Sequence, residues 1–164
     1  MSDRVRFSTA AKILEVISWV ALVALIVIPA IWYADLPEQI PTHYGFSGTP
    51  DHYSAKSALW MLPVIGVVMF LLFSGINLLL TARPSRYAKP KPEELSMLPK
   101  IIVLMQLFKV FLTATFAYIV IQTIRLAHGE AADLGAWFPP TFFGVIVILL
   151  PGFLVWSVKA GKKG

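Results

Sequence analysis

The sequence predicts an all-α integral membrane protein, an antiparallel four-helix transmembrane bundle with a structured extracytoplasmic loop between its first two helices. Three observations carry that expectation. Hydrophobic residues make up 57% of the 164 residues and charged residues 14%, where soluble domains average roughly 45–50% and 25%. A soluble domain this small has no core large enough to hide the excess. The apolar residues gather into four runs of about 20 residues, each able to cross a bilayer. The basic residues cluster on one side of those runs.

The four spans are expected to form one membrane domain over residues 1–164. Residues 13–33 form the first and carry one charge, Glu15. Arg4, Arg6 and Lys12 precede it like the basic start of a secretory signal, but the apolar run is 21 residues, longer than the roughly 7–15 of a signal core. It ends Ile31-Trp32-Tyr33-Ala34 with no small-x-small cleavage site, so it reads as a retained helix. Residues 58–82 form the second span, without charge. Residues 101–124 form the third, holding only Lys109, and residues 137–158 the uncharged fourth.

Lys and Arg set the orientation, because basic loops stay cytoplasmic. Three lie before the first span. Five lie in the 83–100 connection (Arg83, Arg86, Lys89, Lys91, Lys100) and three in the tail (Lys159, Lys162, Lys163). The other two connections hold Lys56 and Arg125. Both termini are therefore expected in the cytoplasm of a cell whose inner membrane holds the chain. The net charge of +5 then reflects topology, which removes the reason to expect a nucleic-acid partner. Trp32, Tyr33, Trp60 and Trp137 fall at outer span ends and Trp156 at an inner end, as an interfacial belt requires. Pro139 and Pro140 fit the first turn of the fourth helix, where their missing N–H groups cost nothing. Pro151-Gly152 should kink it. The chain has no cysteine, so disulfides and thiolate chemistry are excluded.

The basic cytoplasmic loop, 83–100, is Pro/Lys-rich in its first half and extended there. A short interfacial helix is expected from Pro92, with Glu93 and Glu94 in its first turn. It serves either as a topogenic linker, the plainer reading, or as a docking site for a cytoplasmic regulator or anionic lipid.

The extracytoplasmic loop, 34–57, is too long for a plain connection and interleaves histidines, acids and aromatics with turn formers. Ser47-Gly48-Thr49-Pro50-Asp51 is a turn signal with Gly48 free to take positive φ. Leu36-Pro37 and Ile40-Pro41 favour extended backbone. Phe46 and the tyrosines are expected to pack the loop as an ordered cap.

The string L-P-E-Q-I-P-T-H-Y-G-F-S-G-T-P-D-H-Y-S-A-K resembles domain of unknown function 1648, whose motif has the form L-P-x-x-I-P-x-H-[aromatic]-x-x-x-G-x-[PA]-D-x-[aromatic]-x-[SA]-K. The resemblance rests on Leu36, Pro37, Ile40, Pro41, His43, Tyr44, Gly48, Pro50, Asp51, Tyr53 and Lys56. With the flanking helices it covers roughly residues 15–75. The domain also occurs in SdpI-type immunity proteins, bacterial membrane proteins that protect a producing cell from its own secreted toxin. Those proteins also signal by holding a transcriptional repressor at the membrane, and they carry further helices. The resemblance implies an outer loop that recognises a peptide, toxin or envelope ligand, and a regulator on the cytoplasmic side. His43, Tyr44, Gly48, Pro50, Asp51, Tyr53 and Lys56 would bind that ligand or brace the loop.

The sequence offers three candidate chemistries. His43, His52, Asp51, Asp35 and Glu38 offer metal donors, but the histidines are nine apart and no third ligand is defined. The plainer reading is that His43 and Asp51 brace the loop through its backbone and Lys56, with no metal or cofactor. Ser47, His43 and Asp51 suggest a hydrolytic triad, yet nothing locates an oxyanion hole, so no catalytic residue and no enzymatic activity are expected. Lys109 lies about two turns inside its span, where an unpaired ammonium is costly, and Glu15 starts from the same face. Together they form either a register-fixing salt bridge or the ion path of a small oligomeric transporter, the alternative to recognition. Asn77, Gln106 and Gln122 should be satisfied by neighbouring helices. Membrane lipids, and copies of the chain itself, complete the expected partners.

Overall fold

The computed structural model describes residues 8–81 and 92–148, with side chains of the second stretch from Leu98 onward. The Pro/Lys-rich half of the cytoplasmic loop, the basic terminal clusters, Pro151-Gly152 and Trp156 lie outside the described residues. The chain divides into two compact units, Met1–Asp35 with Ser57–Ile121 and Leu36–Lys56 with Gln122–Gly164.

The first unit is helical. Helix α1 spans Thr9–Trp32. Ser8 caps it in an extended conformation, its hydroxyl accepting the Ala11 N–H at 3.2 Å, which satisfies one of the free donors of the first turn. Its buried residues, Ala11, Ser18, Leu22, Leu25 and Pro29, follow the three- and four-residue steps of one helix face. The other faces are apolar too: Val16, Val20, Val23, Val27 and Ile31 are exposed. A helix apolar on every side and half uncovered is suited to hydrocarbon rather than water.

Helix α2, Met61–Thr81, follows a short 3-10 turn, Lys56–Trp60. It buries Pro63, Gly66, Phe70 and Asn77 and exposes Val64, Val68, Leu71, Leu78 and Leu79. Gly66 lies against α1 and α3: a Cβ there would overlap Leu25 and meet Phe116 at 3.4 Å. Above it Trp19 packs edge-on against Phe70, ring centroids 4.6 Å apart.

Helix α3, Pro92–Ala127, is one helix of 36 residues. The short interfacial helix and the third span expected from the sequence are therefore continuous. Pro92 occupies the first helical position, which suits its fixed φ, and α3 continues through Pro99 with one backbone hydrogen bond fewer. Its buried stripe runs Ile102, Gln106, Lys109, Thr113, Ala117, Val120 and Ile124. Thr113 returns its hydroxyl to the Lys109 carbonyl at 2.9 Å, and Thr113 and Ala117 form the small-x-x-x-small pair of that stripe.

The second unit corrects the all-α expectation. Strands β1, Gln39–Tyr44, and β2, Pro50–Ala55, form a two-stranded antiparallel sheet. Gln39 pairs with Ala55, Pro41 with Tyr53, His43 with His52 and Tyr44 with Pro50, with irregularities on either side of His43. Prolines 37 and 41 keep this segment out of helix, and a two-stranded sheet tolerates Pro41 because each strand has an unpaired edge. The turn closes through Gly45 N–H to Thr49 O and Gly48 N–H to Gly45 O, both 2.9 Å, with Gly48 at φ 82°.

Beyond α3, Gly129 takes φ 74° and Glu130 N–H returns to the Arg125 carbonyl at 2.8 Å, a glycine-ended stop that satisfies a free carbonyl. The described part of helix α4, Phe138–Ile148, is apolar and uncharged, and Pro139 and Pro140 sit in its first turn. Among the described residues, three helices are long and apolar enough to cross a membrane: Thr9–Asp35, Lys56–Thr81 and Leu98–Ala127.

Candidate functional site

The hairpin presents its residues in two sets. One set anchors it. Tyr44, at the end of β1, is partly buried and shares a hydrogen bond of 2.6 Å with the Thr123 hydroxyl of α3. Burial pushes the Tyr44 phenol above its ordinary range, against the opposing pull of the Thr123 hydrogen bond, because the phenolate is the form that loses hydration. Gly48 is buried, and its carbonyl accepts the Leu134 N–H at 2.9 Å. Phe46 stacks on Phe143 of α4, centroids 6.0 Å apart and planes 15° from parallel. Pro50 opens β2 opposite Tyr44.

The other set faces outward. His43 Nδ1 lies 2.5 Å from Asp51 Oδ1, with side chains 69% and 50% exposed. Tyr53 is exposed, and Phe46 remains 84% exposed despite its stacking. Lys56 reaches Glu38 at 3.0 Å, and its backbone N–H bonds the Glu38 carbonyl at 3.0 Å, closing the base of the hairpin. In place of the expected bracing of His43 and Asp51 against the backbone and Lys56, His43 pairs with Asp51 and Lys56 pairs with Glu38. The Ser47 hydroxyl is engaged by Thr49 at 2.8 Å rather than by His43. Among the described residues no group of three His, Cys, Asp or Glu side chains could hold a metal ion.

A second cluster lies in the helical unit. Lys109 is 1% exposed, and its Nζ meets Glu15 Oε2 at 2.6 Å and Ser74 Oγ at 3.2 Å. The ammonium also sits 4.3 Å from the centroid of the Phe70 ring, a cation–π contact. Gln106 donates its amide to the same Glu15 oxygen at 2.5 Å. The buried charge is therefore paired, hydrogen-bonded and capped by an aromatic face, the conditions under which an ammonium survives at that depth. Ser74 and Phe70 join the cluster with no signal in the sequence. A hydroxyl or ring one or two turns from the middle of an apolar span gives no signal until its neighbours are known. Asn77 and Gln106 depart from the expectation that neighbouring helices satisfy them. Both amide atoms of Asn77 and the Gln106 carbonyl are buried without a hydrogen-bond partner among the described residues.

Residues 20–67, from the second half of α1 through the hairpin into the first turns of α2, match the family model described as Domain of unknown function (DUF1648). That stretch is similar to the DUF1648 domain. The DUF1648 match takes in His43, Tyr44, Gly48, Asp51 and Lys56 and also Gly66 at the α1–α2 contact, so it unites hairpin and flanking helices. An uncharacterised protein of Archaeoglobus fulgidus is 35% identical over 54 residues, covering 33% of this chain and 30% of that protein. The chain thus spans about a third of that relative's length. No solved structure matches the chain.

Proposed function

We propose that this DUF1648 protein is a multi-pass protein of the bacterial inner membrane, a four-span bundle with both termini cytoplasmic. Its hairpin recognises a peptide, toxin or other envelope ligand outside the cell. Protection or signalling follows from that recognition, as in the SdpI-type immunity proteins it resembles, and the chain itself catalyses nothing.

One observation carries this reading. The hairpin is anchored by Tyr44 and Gly48, yet it displays an acid–imidazole pair beside uncovered aromatic rings, His43 and Asp51 with Phe46 and Tyr53. Rigid aromatic groups beside a polar pair are the composition of binding hot spots, because their contact area comes at little entropic cost. A loop held only for structural reasons would turn those rings inward.

Photocrosslinking in living cells tests it. Benzoylphenylalanine placed at Tyr53 should yield a discrete adduct, and the adduct should weaken or vanish when His43→Ala and Asp51→Asn are added. If the adduct is indifferent to both substitutions, or none forms from Tyr53 or Phe46, the hairpin is not a recognition surface.

A further inference from the structure

The hairpin has two edges, and its register tells them apart. The Lys56 N–H bonds the Glu38 carbonyl at 3.0 Å, a rung that continues the pairing of Gln39 with Ala55, Ile40 with Ser54 and Pro41 with Tyr53. Hydrogen-bonded and non-hydrogen-bonded rungs alternate in an antiparallel pair. Ile40 therefore bonds Ser54, while Tyr53 and Ala55 turn their backbone groups away from β1. Pro41, which has no N–H to give, fits that phase. The outer edge of β2 thus offers the Tyr53 N–H and carbonyl and, two residues on, the Ala55 N–H.

The two edges differ in protection. On the β1 edge the matching position is Pro41, which offers no donor, and Ile40 and Pro41 are both buried. β2 instead exposes Asp51, His52 and Tyr53 in succession and then Ala55. Among the described residues no strand lies beyond it. Past Pro50 the strand has neither the lysines nor the prolines that natural sheets place on an edge to prevent pairing.

We propose that the hairpin takes its ligand as a third strand: a short extended peptide with basic side chains pairs with the outer edge of β2 between Asp51 and Ala55. This inference rests on the recognition reading and specifies how that recognition works. Donors and acceptors at a two-residue spacing are matched by an extended backbone, and strand addition to an open sheet edge is a recurring mode of peptide binding. Charge selects a basic peptide. The described part of this unit holds four acids, Glu38, Asp51, Glu130 and Asp133, against Lys56 and Arg125, and Asp51 lies on the edge strand itself. The same imbalance opposes a second copy of the hairpin at that edge, because like charges would meet there.

Amide hydrogen exchange of the full chain in zwitterionic lipid nanodiscs is the test, with a short capped peptide of alternating lysine and threonine as the probe. At about ten times its Kd the probe should slow exchange at Tyr53 and Ala55 about tenfold. The same peptide with its backbone N-methylated, and one with glutamate in place of lysine, should each bind about tenfold more weakly or worse. Ala55→Pro removes the outward donor and should weaken the probe to a similar degree, while the Lys56 amide exchanges as in the parent because the hairpin stays closed. The N-methylated peptide keeps the test sound if that variant opens the hairpin, since it leaves the protein unchanged. Saturable binding that leaves Tyr53 and Ala55 unprotected, or equal binding of the N-methylated peptide, overturns strand addition. If such binding is still lost with His43→Ala, the hairpin recognises its ligand by side chains alone and the recognition reading stands. Equal binding of the glutamate peptide overturns the basic ligand. Protection that rises with protein concentration before any probe is added gives the edge to a second copy and overturns the proposal. Absence of saturable binding by every peptide overturns it too, and the photoadduct at Tyr53 then decides separately whether recognition survives.

Discussion

Replacing Glu15 with alanine should destabilise the helical unit by about 3–5 kcal/mol, the range for an ion left buried without its partner. The reason is the asymmetry of the pair. Lys109 is 1% exposed, whereas the Glu15 side chain is 34% exposed, so removing the acid strands an ammonium that keeps, among the described residues, Ser74 and the Phe70 face. Lys109→Met should cost much less, since the carboxylate keeps its hydrogen bond from Gln106 and is itself partly exposed. The double replacement Glu15→Leu with Lys109→Met should fall close to the parent, because a well-packed apolar pair often matches a buried ionic one. Denaturant unfolding of the four chains in nanodiscs, followed by tryptophan fluorescence, reads all three values. If Glu15→Ala and Lys109→Met cost the same, the ammonium is solvated by some other route and the pair does not hold the helices in register.

Gly48→Val should have the largest effect in the second unit, about 2 kcal/mol or more. A left-handed conformation costs an L-residue roughly 1–2 kcal/mol, and a β-branched one more. Gly48 sits at φ 82°, where its added Cβ would also press on Leu134 at 3.4 Å. The Leu134 N–H bond to the Gly48 carbonyl is then weakened, so hydrogen exchange at Leu134 should accelerate roughly thirtyfold at that energy. The helices should remain inserted. Unchanged exchange at Leu134 would mean that the turn is not what holds the hairpin.

The spans were largely legible in the sequence, and the hairpin only in part. Apolar runs of bilayer length flanked by charge mark α1 and α2 without any knowledge of packing, and the meeting of Glu15 with Lys109 follows from two spans that start on one face. Pro99 and Lys100 look like the start of the third span, whereas a helix already begun at Pro92 runs through Pro99. Extended backbone and a glycine turn were visible at residues 36–51. Strand pairing was not, because Pro41 argues against a strand and the register has irregularities beside His43. The hydrogen bond from Tyr44 to Thr123 joins residues 79 apart, and no local pattern announces it. The orphaned amide of Asn77 is likewise a property of three helices together, since on its own segment Asn77 is simply one polar residue in an apolar span.

The chain has no cysteine, which makes sidedness directly measurable. Ser47→Cys places a single thiol in the exposed hairpin turn, and Ser85→Cys places one in the basic connection after α2. A membrane-impermeant maleimide applied to intact cells should label Ser47→Cys and spare Ser85→Cys until the membrane is permeabilised. Labelling of Ser85→Cys in intact cells, with Ser47→Cys protected until lysis, would put the hairpin in the cytoplasm and contradict the proposed recognition of a ligand outside.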